Sequence, residues 1–213
     1  MTLNLTADEV LTTTRSVRKR LDFDKPVQHE ILMECLEIAL QAPTGSNAQG
    51  WQWMFVEDPD KKAALAEIYR VSATPYLDLP KPERGDIRDE QLPAVLDSAK
   101  YLSANLEKAP VMLIPLLEGR VEGADAGIQA SFWGSILPAV WSFMLALRER
   151  GIGTAWTTLH LLGKGERKAA EILGIPYEQY TQAGLFPIAY TKGTDFKLAK
   201  RLPAEQLTHW DTW

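Results

Sequence analysis

The chain has a single cysteine, Cys35, in 213 residues, so it forms no internal disulfide, no Cys-X-X-Cys redox pair and no cysteine-based metal site. That usage suits a reducing compartment, and a cytoplasmic location is the expectation. Basic excess is missing too: 23 Lys and Arg stand against 28 Asp and Glu, a formal net charge of −5, which argues against a general polyanion binder. Histidine is scarce, and His29, His160 and His209 are too scattered to make a metal site, so no metal is expected. The N-terminal MTLNLTADEV lacks a basic stretch followed by an apolar one, and no run of about 18 uncharged apolar residues is expected later, so neither secretion nor membrane spanning is marked. A dinucleotide fingerprint is absent, because GIGT at 151–154 has neither GxGxxG spacing nor a preceding strand. No side chain is singled out as a catalytic acid or base.

What is present belongs to an ordinary globular chain, 46% hydrophobic and 24% charged, read as one domain over residues 1–213. A domain of this size buries roughly 70% of its unfolded surface and needs no staples. Seven Trp are the compositional oddity; they are read as core or interface packing, with Trp156 the best exception. Thr6 and Glu9 have capping-box spacing ahead of Leu11. Apolar residues recur at helical spacing from Gln28 to Ala42, and Pro43 closes that run. WMFVE at 53–57 suits a strand, and the following DPDKKAALAEIYR opens as a helix does. Residues 72–92 carry three Pro and many charges with neither period, and are read as a loop or lid. AVLDSAKYLSANLEKAP then reads as a helix and VMLIPLLE as a strand whose Pro115 argues for an edge or a bulge. IQASFWGSILPAVWSFMLALRERG is apolar on nearly every face, the pattern of a fully buried or subunit-interface helix. Few strands between long helices, without regular βαβ alternation, predict an α+β layered fold.

Three stretches concentrate hydrogen-bonding groups. Arg15-Ser16-Val17-Arg18-Lys19-Arg20 packs four cations and a hydroxyl into six residues, either a solvated face or an anion site. APTGSNAQGWQW at 42–53 sets small polar and amide groups between two core elements. GIGTAWTTLH at 151–160 follows the apolar helix with two Gly and three Thr.

In this order and with these separations the stretches resemble the nitroreductase family of flavin-dependent oxidoreductases. Arg15-Ser16-Val17-Arg18 matches its R-S-x-R motif. Pro43, Thr44, Gly45, Asn47, Gln49 and Trp51 match its second signature, SILPAVWSFMLALRERGIGTAWTTLH its third, and Arg201 to Trp213 its C-terminal tail. The resemblance implies a layered α+β fold with a central, mostly antiparallel sheet flanked by helices, in an intertwined homodimer with FMN at the interface. It implies NADH or NADPH as co-substrate and reduction of nitroaromatic, quinone or related acceptors by ping-pong hydride transfer through the flavin. On that pattern Arg15, Ser16 and Arg18 line the phosphate, ribityl chain and pyrimidine edge, with Arg18 stabilising negative charge on the reduced flavin. Arg201 is the C-terminal phosphate cation, and Ser46, Asn47 and Gln49 face the flavin from the early loop. Thr157 and Thr158 lie where the backbone approaches N5, and Pro138 where the partner's helix meets the ring. Reductive dehalogenation, enone reduction, oxidation of a biosynthetic intermediate, or flavin binding without turnover are the alternatives on the same fold. Three departures stand out: Thr14 where many members have Arg, Gly50 where Pro is usual, and Trp141-Ser142 in place of an amide pair.

Overall fold

The computed structural model describes residues 2–213; Met1, the first residue of the expected domain, lies outside them. Helix α1 (Ala7–Thr13) opens with the capping box: Thr6 Oγ1 accepts the Glu9 N–H and the Glu9 carboxylate accepts the Thr6 N–H. The remaining elements, in chain order, are β1 (Leu21–Asp22), α2 (His29–Ala39), β2 (Trp51–Val56), α3 (Pro59–Asp78), α4 (Ile87–Asn105) and β3 (Val111–Glu118). They continue with α5 (Ala126–Glu149), β4 (Ile152–Thr154), α6 (Gly165–Leu173), β5 (Tyr180–Gln182) and β6 (Phe186–Thr191).

The strands form one sheet in the order β1-β6-β3-β2, with β4 also on β6 and β5 also on β3. Ladders between these strands are antiparallel, and an isolated parallel bridge joins Ser16 to Thr154, so the sheet is mixed. Alternation along β3 explains its unbroken apolar sequence. Met112, Ile114 and Leu116 join a core with residues of α3, α4 and α6, while Val111, Leu113 and Leu117 join a second core with α2 and α5. A strand covered by helices on both faces has no polar side to show. Each fully buried Leu or Ile there contributes roughly 1.5–3 kcal/mol from area removed from water.

Three expectations are corrected. First, Pro115 does not mark an edge, since β3 is an interior strand, paired with β2 from Met112 to Leu117. On its other side β3 pairs with β6 through Leu113 and with β5 from Leu116, so Pro115 sits at the changeover where no ladder N–H is required. Second, residues 72–92 are not mainly a loop. Helix α3 runs through Pro75 to Asp78 and α4 starts at Ile87, leaving only 79–86 as connection. Proline in a helix removes one bond, but Tyr69, Ala73 and Leu77, four apart on one face, are all buried and hold the helix past it. Third, α5 is by length and composition apolar enough to cross a membrane, with a mean hydropathy of 1.5 over 18 residues. The small polar Ser and Gln residues scattered along it do not offset its apolar ones. Here its buried face packs in the core with α2 and the sheet.

Candidate functional site

The Arg-Ser-Val-Arg segment is placed by strand pairing. Val17 N–H donates to Thr154 O at 2.9 Å, which lays the segment beside β4. Gly153 makes that approach possible: a Cβ there would stand 2.7 Å from Thr191 Cγ2 and 3.0 Å from Val17 Cβ. Immediately after β4 the chain turns, and Thr157 exchanges backbone bonds with Leu185, N–H to O at 3.2 Å and O from N–H at 2.8 Å. Thr157 N–H is thereby committed. Thr158 N–H has no such partner among the described residues and is the free donor of the pair. Behind the turn, buried His160 Nε2 lies 3.2 Å from Gln182 Oε1, and Gln182 Nε2 donates to Glu166 O at 2.9 Å. Burial pushes the His160 imidazole down to about 4, so it is neutral at physiological pH.

Arg18, Trp156, Thr157 and Thr158 meet in a cavity of about 530 Å³ roofed by the α3–α4 hairpin, which adds Tyr69, Tyr76, Lys81, Arg84 and Arg88. Arg18 is half-buried, and Nη1 donates to Ser98 Oγ at 3.3 Å. Burial lowers the affinity of its guanidinium for its proton. Tyr69 is 3% exposed, and its phenol stands beside Thr157 and Arg18; burial raises its pKa. Sequence reasoning missed Tyr69, Lys81 and Arg84, because only tertiary packing brings the hairpin over the turn.

A second concavity, about 500 Å³, lies between the 44–50 loop and α5. Its wall includes Thr44, Gly45, Gln49, Ser131 and Ser135. Gly45 N–H donates to Ser135 Oγ at 2.9 Å, and Gln49 Nε2 donates to Asn47 Oδ1 at 2.9 Å. Ser46, Asn47 and Gln49 have φ of 52°, 54° and 50°, left-handed values that cost L-residues of order 1–3 kcal/mol apiece, least for Asn. Gly50 is not among the positive-φ residues, so the strain sits on the expected flavin contacts and not on the glycine beside them. Pro138 is on the exposed face of α5 with Gly127, Gly134 and Trp141. Its missing N–H leaves the Gly134 carbonyl without its helical donor on that face.

Ser46, Asn47 and Pro138 flank the groove without lining it, and Arg15, Ser16 and Arg201 lie apart from both cavities. Arg15 donates to Thr14 O at 2.8 Å, to Thr12 O at 2.7 Å and to Lys197 O, tying the tail to the N-terminal segment. Burial and then the charge of Arg201 lower its pKa, and neither arginine forms an ion pair among the described residues. Arg201 itself is exposed and donates to Lys200 O at 3.2 Å. Ser16 is exposed beside β4. Thr14 is buried and its Oγ1 donates to Val10 O at 2.6 Å, so the residue that departs from the motif closes α1. Arg148, also missed, is buried in the last turn of α5, with Nη2 donating to Thr13 Oγ1 at 3.0 Å and Thr194 O at 3.1 Å. A cation ending a long apolar run was its signal, since helix C-termini favour positive charge.

The family model described as "Nitroreductase family" matches residues 11–190. A protein named NADH dehydrogenase from Thermus thermophilus is 28% identical over 210 residues, covering 92% of this chain and 91% of the relative. An iodotyrosine deiodinase from Thermotoga neapolitana is 26% identical over 146 residues, covering 68% of this chain and 69% of the relative. Among solved structures, an FMN- and NADPH-dependent nitroreductase from sphigopyxis sp. strain HMH superposes with a TM-score of 0.71 at 21% identity, covering 98% of this chain and 100% of that one.

Proposed function

The chain belongs to the nitroreductase family of FMN-dependent oxidoreductases, and we propose that it works as a homodimeric NAD(P)H oxidoreductase acting on nitroaromatic, quinone or related acceptors. In this reading each FMN lies between the hairpin cavity of one protomer and the α5 groove of its partner. The observation that carries it is the division of the expected contacts: Arg18, Thr157 and Thr158 line one cavity, whereas Gln49, with Ser46, Asn47 and Pro138 nearby on the same loop and helix, belongs to the other. No single concavity gathers both sets.

The residues suit the group. Arg15 feels the charge of Arg201, and neither has an ion pair among the described residues, so a phosphate dianion would find two unneutralised cations there. Thr158 N–H is a free donor at the turn, and Arg18 is a half-buried cation with only a hydroxyl partner. The apolar exposed face of α5, with Ile128 57% and Trp141 38% exposed, and a tail whose Trp210 and Trp213 are 84% and 100% exposed, are surfaces that a second copy would cover. The chemistry that FMN would supply there is hydride transfer between the nicotinamide and the acceptor. The chain's own part is to hold the phosphate with Arg15 and Arg201, to place positive charge with Arg18 where negative charge develops, and to present the Thr158 amide beside the ring. The cavity's Trp156, Leu92 and Leu96 keep water from the reacting face.

Anaerobic mixing of FMN-loaded protein with NADH and with NADPH tests the reading. Bleaching by at least one of them, followed by recovery of the oxidised spectrum on adding a nitroaromatic or quinone, is expected. Protein that stays colourless after reconstitution, or flavin that neither nicotinamide bleaches, would sink it. The iodotyrosine deiodinase likeness supports reductive dehalogenation as a second reading. Release of iodide from an iodophenol by the reduced enzyme is its separate readout.

A further inference from the structure

We propose that Lys81 and Arg84, on the connection between α3 and α4, form an anion subsite in the hairpin cavity that selects aromatic acceptors bearing a carboxylate. The proposal rests on the flavin placement above and goes further by naming the acceptor class. The chain as a whole is acidic, with a formal net charge of −5, yet the cavity is lined by Arg18, Lys81, Arg84 and Arg88 against one carboxylate, Asp89. That carboxylate is spent on the backbone: Asp89 accepts the N–H of Arg84 at 3.0 and 3.1 Å and of Gly85 at 2.7 Å, bracing the connection without neutralising a side chain.

Of the other acids near the hairpin, Glu83 and Glu90 are exposed and pair with neither Lys81 nor Arg84, while three more are engaged elsewhere. Asp86 holds Arg88, with Nε at 2.9 Å from Oδ1 and Nη2 at 2.5 Å from Oδ2, and its carboxyl is lowered to about 2 by that bond. Asp78 pairs with Lys100 at 2.6 Å, and Asp97 pairs with Lys19. Arg18 belongs to the flavin in the reading above. What remains is Lys81, whose Nζ donates to the Tyr76 carbonyl at 2.6 Å and lies 4.2 Å from the Tyr76 ring centroid, and Arg84, whose guanidinium has no hydrogen bond or ion pair among the described residues. Neither has a carboxylate partner. Around them Tyr69, Tyr76 and Trp156 supply flat walls, with Leu92 and Leu96 apolar between. Flat apolar walls with two convergent cations describe a ligand made of a planar ring and an acidic group.

Benzoate and benzamide, isosteric and not reducible by the flavin, separate charge from shape. Titrated into the oxidised FMN-loaded dimer and followed by the flavin spectrum, benzoate is expected to bind about tenfold more tightly than benzamide, the value of one charge-assisted hydrogen bond. Arg84→Ala and Lys81→Ala should each weaken benzoate by about tenfold and change benzamide by less than about twofold, and the KM for 4-nitrobenzoate should rise in parallel. Arg84→Lys should recover part of the loss. Equal affinity for the two ligands in the parent protein, or equal losses for both in the variants, overturns the subsite. Nicotinamide phosphates are the other source of negative charge. Slower reduction of Arg84→Ala by NADPH alone, with benzoate binding intact, overturns the acceptor assignment in their favour. Selective benzoate binding by a flavin that neither nicotinamide bleaches would count against the oxidoreductase reading and leave the subsite standing.

Discussion

The hairpin cavity is walled by groups that one chain fixes by itself, whereas the α5 groove is lined by an exposed helix face and a loop held in left-handed backbone conformations. In the first, Thr157 is pinned to Leu185 by two backbone bonds and backed by buried His160 and Gln182. In the second, Ser46, Asn47 and Gln49 are all exposed, and the loop is tied to α5 through the bond from Gly45 to Ser135. A protomer that completes one wall of a site and leaves the other strained and uncovered is the arrangement that the proposed homodimer accounts for. The sharpest way to break that contrast is at Gly134. A Cβ there meets nothing within 4 Å, and Gly134 is on the exposed face, so an isolated protomer has room for a substituent and gains roughly 1 kcal/mol of helix propensity. Gly134→Arg is therefore expected to leave the far-UV circular dichroism unchanged while abolishing the dimer in sedimentation velocity and releasing FMN. A dimer that survives with its flavin places the interface elsewhere.

The next largest effect separates the cavity from the cations outside it. Arg18 lines the hairpin cavity, whereas Arg201 lies outside it and its charge is felt by Arg15. Removing a charged donor costs roughly 1.5–3 kcal/mol, about tenfold or more in the property it serves. Arg18→Ala should slow flavin reduction by that factor in stopped-flow measurements and leave FMN retention close to unchanged. Arg201→Ala should do the reverse, raising the FMN dissociation constant while the bound fraction reduces at the parent rate. Equal effects of both changes on both properties would contradict the division of roles.

How much of this contrast the sequence carried depends on whether a feature was local. The capping box at Thr6 and Glu9, the helix after Gln28 and the strand VMLIPLLE are written in neighbouring residues, and the structure contains each of them. Positions that face different partners misled the reading. Pro115 looks like an edge residue because proline lacks a donor, but the sheet supplies a gap between β5 and β6 that only the topology reveals. Pro75 made α3 look interrupted, although the buried series Tyr69, Ala73 and Leu77 was present in the letters all along. At the site, motif spacing marked Arg18, Thr157 and Gln49. Tyr69, Lys81 and Arg84 carried no local signal, because a charge run in a proline-rich segment reads as solvated surface until a hairpin folds it over a turn. The left-handed values at Ser46 and Gln49 were equally hidden, since neither residue type prefers them.

The smallest predicted effect asks whether the groove loop depends on its bond to α5. Ser135 Oγ accepts the Gly45 N–H at 2.9 Å and donates to Ser131 O at 2.7 Å, so it couples the loop to α5 without contacting the hairpin side. Ser135→Ala removes both bonds. Gly45 is exposed and water replaces Ser135, which keeps the expected loss of stability near 1 kcal/mol in urea unfolding. Loosening should appear where the strain is, as faster hydrogen exchange at residues 44–50, and not at the Thr157 and Leu185 amides, whose bonds to each other are untouched. An FMN dissociation constant raised roughly fivefold should accompany it, since about 1 kcal/mol of ordering must then be supplied on binding. Exchange that quickens equally at Thr157 and Leu185 would mean that the two walls respond as one unit, and the contrast between a finished wall and a waiting one would fail.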